Sequence, residues 1–358
     1  MKTIIFIAAA LVSLSPLAHG QAKGEASPPI IFSEPPAGFD PVTAADSELA
    51  ENGYPPRPAL SDPGYAAWHR MVTAPQKRLS NLTVQTTNKV NGGARGRLDR
   101  EATANSVSSS SNNWSGYVVT APNGTFTSND SYVYAEWVVP AAGVDSCGGE
   151  TYASSQWVGF DGWTSGDVLQ AGTAITACGA SYVAWYEWFT PGCTANSASL
   201  PCYQWNFSLA VNPGDRVSTE VWYTTAAPHG HAYMVNYSTQ QSASMAFNQP
   251  SGSTGSGYVG NDAEWIVERP GQTVGNTTTL DDLADYVAVA MNTAHASNYN
   301  GLFFYPSSVP SGSTIYNVTM TCPTWTPSSS CPSTTGLSYA DLYGTWTLWF
   351  YDEGPAYQ

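Results

Sequence analysis

Positive charge is scarce over most of this chain. Charged residues make up 11% of the 358 positions, whereas an average soluble protein has about 25%. Ten of the twelve lysines and arginines lie at or before Arg100, and beyond it stand only Arg216 and Arg269. Residues 101–358 carry 19 Asp and Glu, so that this segment has a formal charge of −17. Such a surface repels nucleic acid and anionic membranes, and neither is expected as a partner.

The shortage of bases also bears on behaviour in acid. When carboxylates take up protons at low pH, few cations remain to repel one another, and that repulsion unfolds many proteins. The composition therefore indicates adaptation to an acidic medium, with simple solubility as the alternative explanation.

Long apolar runs are absent after the first residues. No later stretch reaches 18 uninterrupted apolar residues, so the sequence predicts no membrane-spanning helix. The chain starts with a basic Lys2, continues with an apolar run from Ile4 to Leu17, and then offers small residues at Ala18 and Gly20. This order is typical of a secretory signal peptide, predicted over residues 1–20, and we expect an exported, extracellular product.

Cysteine is sparse, and its six positions all lie in the acidic part of the chain. An even number in an exported protein predicts disulfides. The short spacings indicate two local loop closures, which leaves the first two cysteines as the third pair. No Cys-x-x-Cys pair is present, so a cysteine metal site is not expected. The predicted pairs are Cys193–Cys202, Cys322–Cys331 and Cys147–Cys178.

Residues 21–106, which we call the leader, differ from the rest of the chain. They are rich in proline at first and then basic, with seven Lys or Arg between Arg70 and Arg100 against one acid, Asp99. A basic leader before an acidic domain predicts an electrostatic latch, which holds near neutral pH and loosens when the carboxylates are protonated. We predict a propeptide that is processed near residues 100–112; a disordered linker is the alternative.

The remaining residues, 107–358, are predicted to form one catalytic domain of the all-β class. Short apolar runs recur between Gly, Pro, Ser and Asn, which is typical of strands and turns. About 245 residues of such strands predict a concanavalin-like sandwich of two antiparallel sheets. A weak similarity between Tyr134–Val139 and Asp262–Val267 suggests equivalent strands.

Several familiar catalytic motifs are missing. The chain has no Gly-x-Ser-x-Gly, no His-Glu-x-x-His, no Asp-Thr-Gly and no Asp-Ser-Gly. Beyond the leader the only histidines are His229, His231 and His295. The first two fit surface histidines better than metal ligands, so no metal is predicted. Carboxylate chemistry remains.

One predicted strand, Ala263–Glu268, carries two candidate carboxylates. A period of two places Glu264, Ile266 and Glu268 on one face and Trp265 on the other. Partial burial and mutual proximity would raise a glutamate pKa and suit the group for acid or base catalysis. The alternative is an exposed face with two solvated acids.

Five segments, taken in order, resemble the glutamic peptidase family, the eqolisins. The resemblance covers roughly residues 113–320, and its most specific parts are the paired Leu-Gln-x-Gly and Glu-Trp-Ile-Val-Glu motifs. The segments are Asn113-Trp114-Ser115-Gly116, Trp157-Val158-Gly159-Phe160-Asp161-Gly162, Leu169-Gln170-Ala171-Gly172, Ala184-Trp185-Tyr186-Glu187-Trp188 and Ala263-Glu264-Trp265-Ile266-Val267-Glu268.

The resemblance implies a β-sandwich made with a signal and a propeptide, and a catalytic pair at Gln170 and Glu268. It implies that Trp185 and Glu187 lie in the substrate cleft and that Asp161 is a supporting acid. Glu264, on the strand of Glu268, is a further candidate for substrate binding.

Two positions depart from the family pattern, since Ala174 and Val183 stand where some members have acids. The departures leave the expected pair of Gln170 and Glu268 intact and bear on the pH optimum. In the implied mechanism, Glu268 takes a proton from a water that attacks the scissile carbonyl, and Gln170 stabilises the oxyanion.

The leading hypothesis is thus a secreted acid endopeptidase, made as a zymogen and acting without metal or cofactor. We expect a monomer whose partners are protein or peptide substrates and its own propeptide. Two rivals remain open. One is a glycosidase that uses Glu187 and Glu268 as paired carboxylates, and the other is a carbohydrate-binding module in which the aromatic residues stack on sugars.

Overall fold

The structure is a computed structural model. It describes residues 29–95, 97–102, 106–143, 152–176, 181–191, 204–250, 257–274, 277–298, 300–321 and 336–352. The predicted signal peptide and all six cysteines lie outside these residues, and so do the disulfide predictions.

The leader forms seven short elements within its described part. The helix Tyr65–Thr73 buries Ala67, Trp68, Met71 and Val72 along one face, as expected of an amphipathic surface helix. Among the described residues, no helix is long and apolar enough to cross a membrane. The elements are β1 (Ile30–Ile31), α1 (Asp46–Glu51), α2 (Tyr65–Thr73), β2 (Lys77–Arg78), β3 (Val84–Thr86), β4 (Lys89–Val90) and β5 (Leu98–Ala102).

The domain after the leader is built from strands, which confirms the all-β prediction. In its described part, every regular element is a strand. The strands are β6 (Val107–Ser111), β7 (Trp114–Thr120), β8 (Ser131–Val138), β9 (Tyr152–Phe160), β10 (Val168–Thr176), β11 (Ser181–Phe189), β12 (Trp205–Phe207), β13 (Arg216–Tyr223), β14 (Gly230–Asn236), β15 (Gln241–Phe247), β16 (Asp262–Glu268), β17 (Gly271–Val274), β18 (Thr277–Leu280), β19 (Asp282–Leu283), β20 (Ala288–Ser297), β21 (Phe303–Phe304), β22 (Thr314–Thr321), β23 (Gly336–Tyr343) and β24 (Thr347–Asp352).

Hydrogen bonding arranges most of these strands in two layers. The first sheet runs β12-β11-β10-β9-β16-β7-β22-β6, and the second runs β15-β14-β13-β8-β20-β24-β23. Nearly all pairs are antiparallel, with β6 parallel to β22. Strand β23 also pairs with the end of β22, so the two layers are joined near one edge of the first sheet. This arrangement is consistent with the predicted sandwich.

Alternate side chains of each sheet meet in an apolar core between the layers. From the first sheet, Val158, Leu169 and Trp265 enter the core, and from the second, Trp137 and Met234 do so. The similar strands β8 and β16 thus lie in opposite layers, and each contributes its Trp to the core. This alternation leaves Glu264, Ile266 and Glu268 on the outward face of the first sheet.

The leader packs against the outward faces of both sheets. Helices α1 and α2 cover the second sheet through an apolar cluster that includes Leu49, Trp68, Tyr134 and Tyr233. Strands β1 and β2 pair with the edge strand β15, and β3 extends the first sheet beside β12. Residues 89–95, which we call the groove segment, then cross the outward face of the first sheet.

Candidate active site

The outward face of β16 is completely buried. Glu264, Ile266 and Glu268 share this face, as the period of two predicts, and each has no exposed surface. The alternative of an exposed face with solvated acids is therefore wrong, because the leader covers this face.

Glu268 is held by two side-chain donors. Nδ2 of Asn113 donates to Oε1 at 3.1 Å, and Nε1 of Trp157 donates to Oε2 at 2.9 Å. Burial raises the pKa of Glu268 well above its ordinary value, while these donors and the nearby charge of Arg95 lower it. The carboxyl is thus oriented by fixed donors in a water-poor site.

Gln170 and Glu187 are directly paired across the neighbouring strands β10 and β11. On the other side of Gln170, Gly159 is its partner on β9, and Glu264 is the next residue in the same row. A Cβ at Gly159 would lie 2.8 Å from the Leu169 carbonyl and 2.9 Å from Cβ of Gln170. Glycine is therefore required for the close approach of Gln170 to β9.

The groove segment contacts these residues in sequence. Nε2 of Gln170 donates to the carbonyl of Asn91. Nε1 of Trp114 donates to the carbonyl of Gly92 at 3.0 Å, and Nδ2 of Asn113 donates to that of Gly93 at 3.3 Å. Because Asn113 also holds Glu268, the segment runs from Gln170 towards Glu268, and both catalytic candidates line one groove.

Glu187 faces the same segment. Its Oε2 accepts the main-chain N–H of Asn91 at 2.9 Å and Nδ2 of that residue at 3.1 Å. Burial raises the pKa of Glu187 well above its ordinary value, and the charge of Glu268 raises it further against these two donors. The two bonds to Asn91 place the Glu187 carboxyl within the groove.

Trp185 lies in the next outward-facing row of the first sheet, beside the row of Gln170 and Glu187. It pairs with Gly172, which in turn faces Trp157 on β9. Its indole is fully buried in the apolar cluster of the outward face, together with Trp114 and Ile266. The structure therefore brings Trp185 to the wall of the groove.

Asp161 is not directed at the groove segment. It begins the turn after β9 with φ +66°, and its carboxylate accepts the main-chain N–H groups of Val259, Gly260, Asn261 and Asp262. Burial raises its pKa, although these four bonds lower it. The residue fixes the loop that leads into β16, which is a supporting role for Glu264 and Glu268.

Glu264 has no hydrogen-bond partner for either carboxyl oxygen among the described residues. Burial raises its pKa well above the ordinary value, and the charges of Asp262 and Asp161 raise it further. Glu264 therefore brings a carboxyl of raised pKa into the row of Gln170. The predicted contact with substrate stays a prediction.

The two positions that depart from the family pattern lie in the row of Glu268, two and three strands away. Ala174 pairs with Val183 and with Ser155, and Ser155 is the partner of Glu268 on β9. The row from β11 to β16 is therefore Val183, Ala174, Ser155 and Glu268. None of the other three residues is acidic, so Glu268 has no acidic neighbour in this row.

The histidines His229 and His231 are bonded within the hairpin between β13 and β14. Nδ1 of His229 lies 3.0 Å from the carbonyl of Thr224, and Nε2 of His231 lies 3.1 Å from Oγ1 of that residue. Both rings also stack on aromatic neighbours, Tyr223 and Trp222. The described residues contain no group of three or more metal-ligating side chains.

Four groove residues were not among the predicted site residues. Asn113 and Trp157 lie within the motifs that carry the resemblance, which was the available signal. Asn91 and Gln204 lie outside those motifs, and the sequence pattern gives no signal for them; Gln204 reaches the groove through Oε1, which accepts Nδ2 of Asn91 at 2.9 Å. Their place in the groove depends on how the leader folds over the first sheet.

Comparisons with known proteins give one family and several relatives. The model of the peptidase A4 family matches residues 112–339. Aspergillopepsin-2 of Aspergillus niger is 29% identical over 212 residues, covering 52% of this chain and 65% of that protein. Scytalidopepsin B of Scytalidium lignicola is 30% identical over 213 residues, covering 59% of this chain and 66% of that protein. The chain thus spans slightly less than two thirds of the length of these curated relatives.

Among solved structures, a scytalido-glutamic peptidase with a transition state analog inhibitor is similar to this chain. The identity is 22% and the TM-score 0.49, over 67% of this chain and 98% of the other.

Proposed function

The chain belongs to the peptidase A4 family, the glutamic peptidases, and from this premise we propose that it is a secreted acid endopeptidase made as a zymogen. Gln170 and Glu268 activate a water that hydrolyses a peptide bond of a protein substrate. No metal or cofactor takes part. Export follows from the signal peptide predicted over residues 1–20.

One observation carries the proposal. A peptide, the groove segment, lies in the groove with the Asn91 carbonyl on the amide of Gln170, and Asn113 links the same segment to Glu268. A site that binds main-chain carbonyls along a buried groove suits peptide substrates. The side-chain amide of Gln170 is placed to stabilise the oxyanion that forms on such a carbonyl.

The mechanism then assigns both proton transfers to Glu268. As a carboxylate it takes a proton from the attacking water, and as an acid it gives that proton to the leaving nitrogen. In the closed form, burial raises the pKa of Glu268 well above its ordinary value, which favours the neutral carboxyl. When the segment leaves, water enters, the desolvation diminishes and the pKa falls, so that the carboxylate is available in acid.

The zymogen part of the proposal is supported by contacts of the leader. Arg70 of α2 pairs with Glu136 of β8, and Lys89 in the groove segment pairs with Asp281. Arg97 also lies over the ring of Trp163, 4.4 Å from its centroid. Protonation of the two acids removes both ion pairs, so the leader is expected to loosen as the pH falls.

The glycosidase alternative is not favoured. Its two carboxylates would be Glu187 and Glu268, but Glu187 accepts two hydrogen bonds from a peptide, and Glu268 is oriented by Asn113 and Trp157. Gln170→Ala discriminates between the functions. It removes the oxyanion donor and should lower peptidase kcat about 100-fold or more, whereas a two-carboxylate glycosidase or a carbohydrate-binding module would tolerate it.

The test is cleavage of a denatured protein between about pH 2 and pH 7, with and without pepstatin. The enzyme is the full-length chain after activation in acid. We expect an acid optimum, resistance to pepstatin, and loss of activity in Glu268→Gln. Glu220→Gln is the matched control, because Glu220 is an equally buried glutamate with a raised pKa in the other sheet. Absence of cleavage by the wild type, or full activity of Glu268→Gln, would overturn the proposal.

A further inference from the structure

A buried carboxamide in the groove takes no part in the proposed mechanism. The side chain of Asn91 is completely buried, and its Nδ2 donates to Oε2 of Glu187 at 3.1 Å and to Oε1 of Gln204 at 2.9 Å. Two acceptors therefore converge on one NH₂ group. Both belong to the domain rather than to the leader, so they remain in the groove when the leader leaves.

The acceptor atom of Gln204 is fixed by its neighbours. Its Nε2 donates to Oδ1 of Asn206 at 2.7 Å, which turns Oε1 towards Asn91. Its main-chain N–H donates to the carbonyl of Lys89 at 3.0 Å, beside the entry of the groove segment. A side-chain amide held in this way offers an acceptor and no donor to the residue that it contacts.

Three carbonyls of the groove segment show where Asn91 lies relative to Gln170 and Glu268. The carbonyl of Asn91 accepts a hydrogen bond from Gln170, that of Gly92 from Trp114, and that of Gly93 from Asn113. Asn113 also donates to Glu268. The bond between Asn91 and Gly92 thus has its carbonyl at the oxyanion donor and its nitrogen on the side of Glu268. This is the orientation that the proposed mechanism requires of a scissile bond.

We propose that Glu187 and Gln204 form the subsite for the side chain that precedes the cleaved bond, and that this subsite selects a carboxamide, asparagine above all. The inference rests on the proposed function. In the reaction, the water oxygen bonds to the carbonyl carbon of that asparagine and the C–N bond breaks. The proton passes from the water through Glu268 to the leaving nitrogen.

The selection follows from the two acceptors. An aliphatic side chain in this subsite leaves Oε1 of Gln204 buried without this donor, and it leaves Oε2 of Glu187 with the main-chain N–H alone, which is costly. An ionised aspartate presents oxygens to oxygens and is disfavoured more strongly, whereas a protonated aspartate can donate one hydrogen bond. We therefore expect kcat/KM for an asparagine substrate to exceed that for alanine by about 10- to 100-fold.

The test uses peptides with the sequence of residues 86–95 that carry Asn, Asp, Ala or Leu at the position of Asn91. The full-length chain is first activated in acid and then assayed at acid pH, and the products are identified by mass. The expected result is cleavage on the carboxyl side of the varied residue, fastest for Asn, with the rate for Asp rising as its carboxyl is protonated. Equal rates for the four peptides, or cleavage at another bond, would overturn the inference.

A variant separates the subsite from the chemistry. Gln204→Leu should lower the ratio of the Asn to the Ala rate by about fivefold or more. Gln241→Leu, on β15 of the other sheet, should leave that ratio unchanged. If the wild type digests denatured protein through Glu268 but treats all four peptides alike, the inference fails and the proposed function stands. If it digests nothing, both fail.

Discussion

Asn113 donates a hydrogen bond from Nδ2 to Oε1 of Glu268 at 3.1 Å. Trp157 completes the arrangement with a bond of 2.9 Å from Nε1 to Oε2. Both bonds favour the charged carboxylate, whereas burial favours the neutral acid, and burial has the larger effect on the pKa of Glu268. The pH at which this group can serve as a base is therefore set by a balance that single substitutions can move.

Trp157→Phe removes one donor and keeps an aromatic ring in the row. Without that donor the carboxylate is less favoured, so the pKa of Glu268 rises and the acid limb of the kcat/KM profile moves to higher pH. We expect a shift of about 0.5 to 1 pH unit, measured by kcat/KM over the acid range.

Trp265→Phe is the matched control for this substitution. It removes a buried indole N–H that donates to the Tyr134 carbonyl at 3.0 Å, but on the opposite face of β16. Its acid limb should stay where the wild-type limb lies. A shift in both variants would mean that general loosening of β16, rather than the bond to Glu268, sets the profile.

The strand pattern was sufficient to predict the carboxylate face. In β16 the alternation of Trp265 with Glu264 and Glu268 is a local property of the chain, and the core between the sheets confirms it. The pairing of Gln170 with Glu187 needs the register of two strands and was not predicted; the family motifs implied only that Gln170 is catalytic and that Glu187 lies in the substrate cleft. Whether Gln170 and Glu268 act as the catalytic pair stays a prediction.

The part that could not be predicted depends on contacts between distant residues. Lys89 and Val90 pair with β17, about 180 positions along the chain, and Asn91 meets Gln204 more than a hundred positions away. Such pairings leave no periodic pattern in a short Gly-rich segment. The sequence therefore predicted a leader that attaches by charge, whereas the structure shows how its groove segment occupies the site.

Lys89→Met tests the ion pair between the groove segment and the domain. The pair is nearly buried, with side-chain exposures of 16% for Lys89 and 4% for Asp281. Loss of one partner of a buried pair costs about 3–5 kcal/mol, and we expect the lower end because Lys89 is partly exposed. The charge of Lys89 lowers the pKa of Asp281 against burial, so in the variant this acid is neutralised at higher pH.

The measurable result is activation at a higher pH. The pH at which half of the purified full chain becomes active should be higher for Lys89→Met than for the wild type. Lys77→Met changes a leader lysine that forms no ion pair among the described residues, and its midpoint should not move. Equal midpoints for the two variants would exclude a contribution of the pair to the latch.

His295→Phe tests a titrating group beneath the leader. Burial, as the main cause, together with the charge of Arg70 lowers the pKa of His295 to about 4, from an ordinary 6.5. A Cβ on the leader residue Gly64 would clash with Nε2 of His295, so the leader packs directly on the ring, and its departure brings water to this side of the ring. Other groups facing the ring are Tyr132, Tyr134 and Glu136, and the charge of Glu136 opposes the shift.

The sign follows from proton binding. Between about pH 6.5 and pH 4 the exposed histidine binds a proton that the buried one does not, so docking of the leader weakens as the pH falls through this window. The full shift corresponds to about 3 kcal/mol, which is the upper limit of its effect on docking because domain residues also bury the ring. In His295→Phe the pH dependence of leader release, followed by tryptophan fluorescence, should be shallower in that window. His229→Phe, in a hairpin contact with Thr224, should keep the wild-type slope, and an equal slope for His295→Phe would exclude this histidine as a trigger.

Ala174→Asp restores an acid to the row of Glu268. Two strand spacings, about 10 Å, separate the backbone of position 174 from that of Glu268, with Ser155 between them. At this distance and an effective dielectric constant of about 20, a new negative charge disfavours the Glu268 carboxylate by about 1.7 kcal/mol, so its pKa rises and the acid limb of kcat/KM moves up by about 1 pH unit. Ala174→Asn has nearly the same volume without the charge, and it separates electrostatics from crowding at this buried position.

If the asparagine variant shifts the acid limb as far as the aspartate variant does, the row acts through packing and the charge argument is wrong. If only the aspartate variant shifts the limb, the charge is responsible. The apolar residues at positions 174 and 183 then set a lower working pH for this chain than an acidic row would.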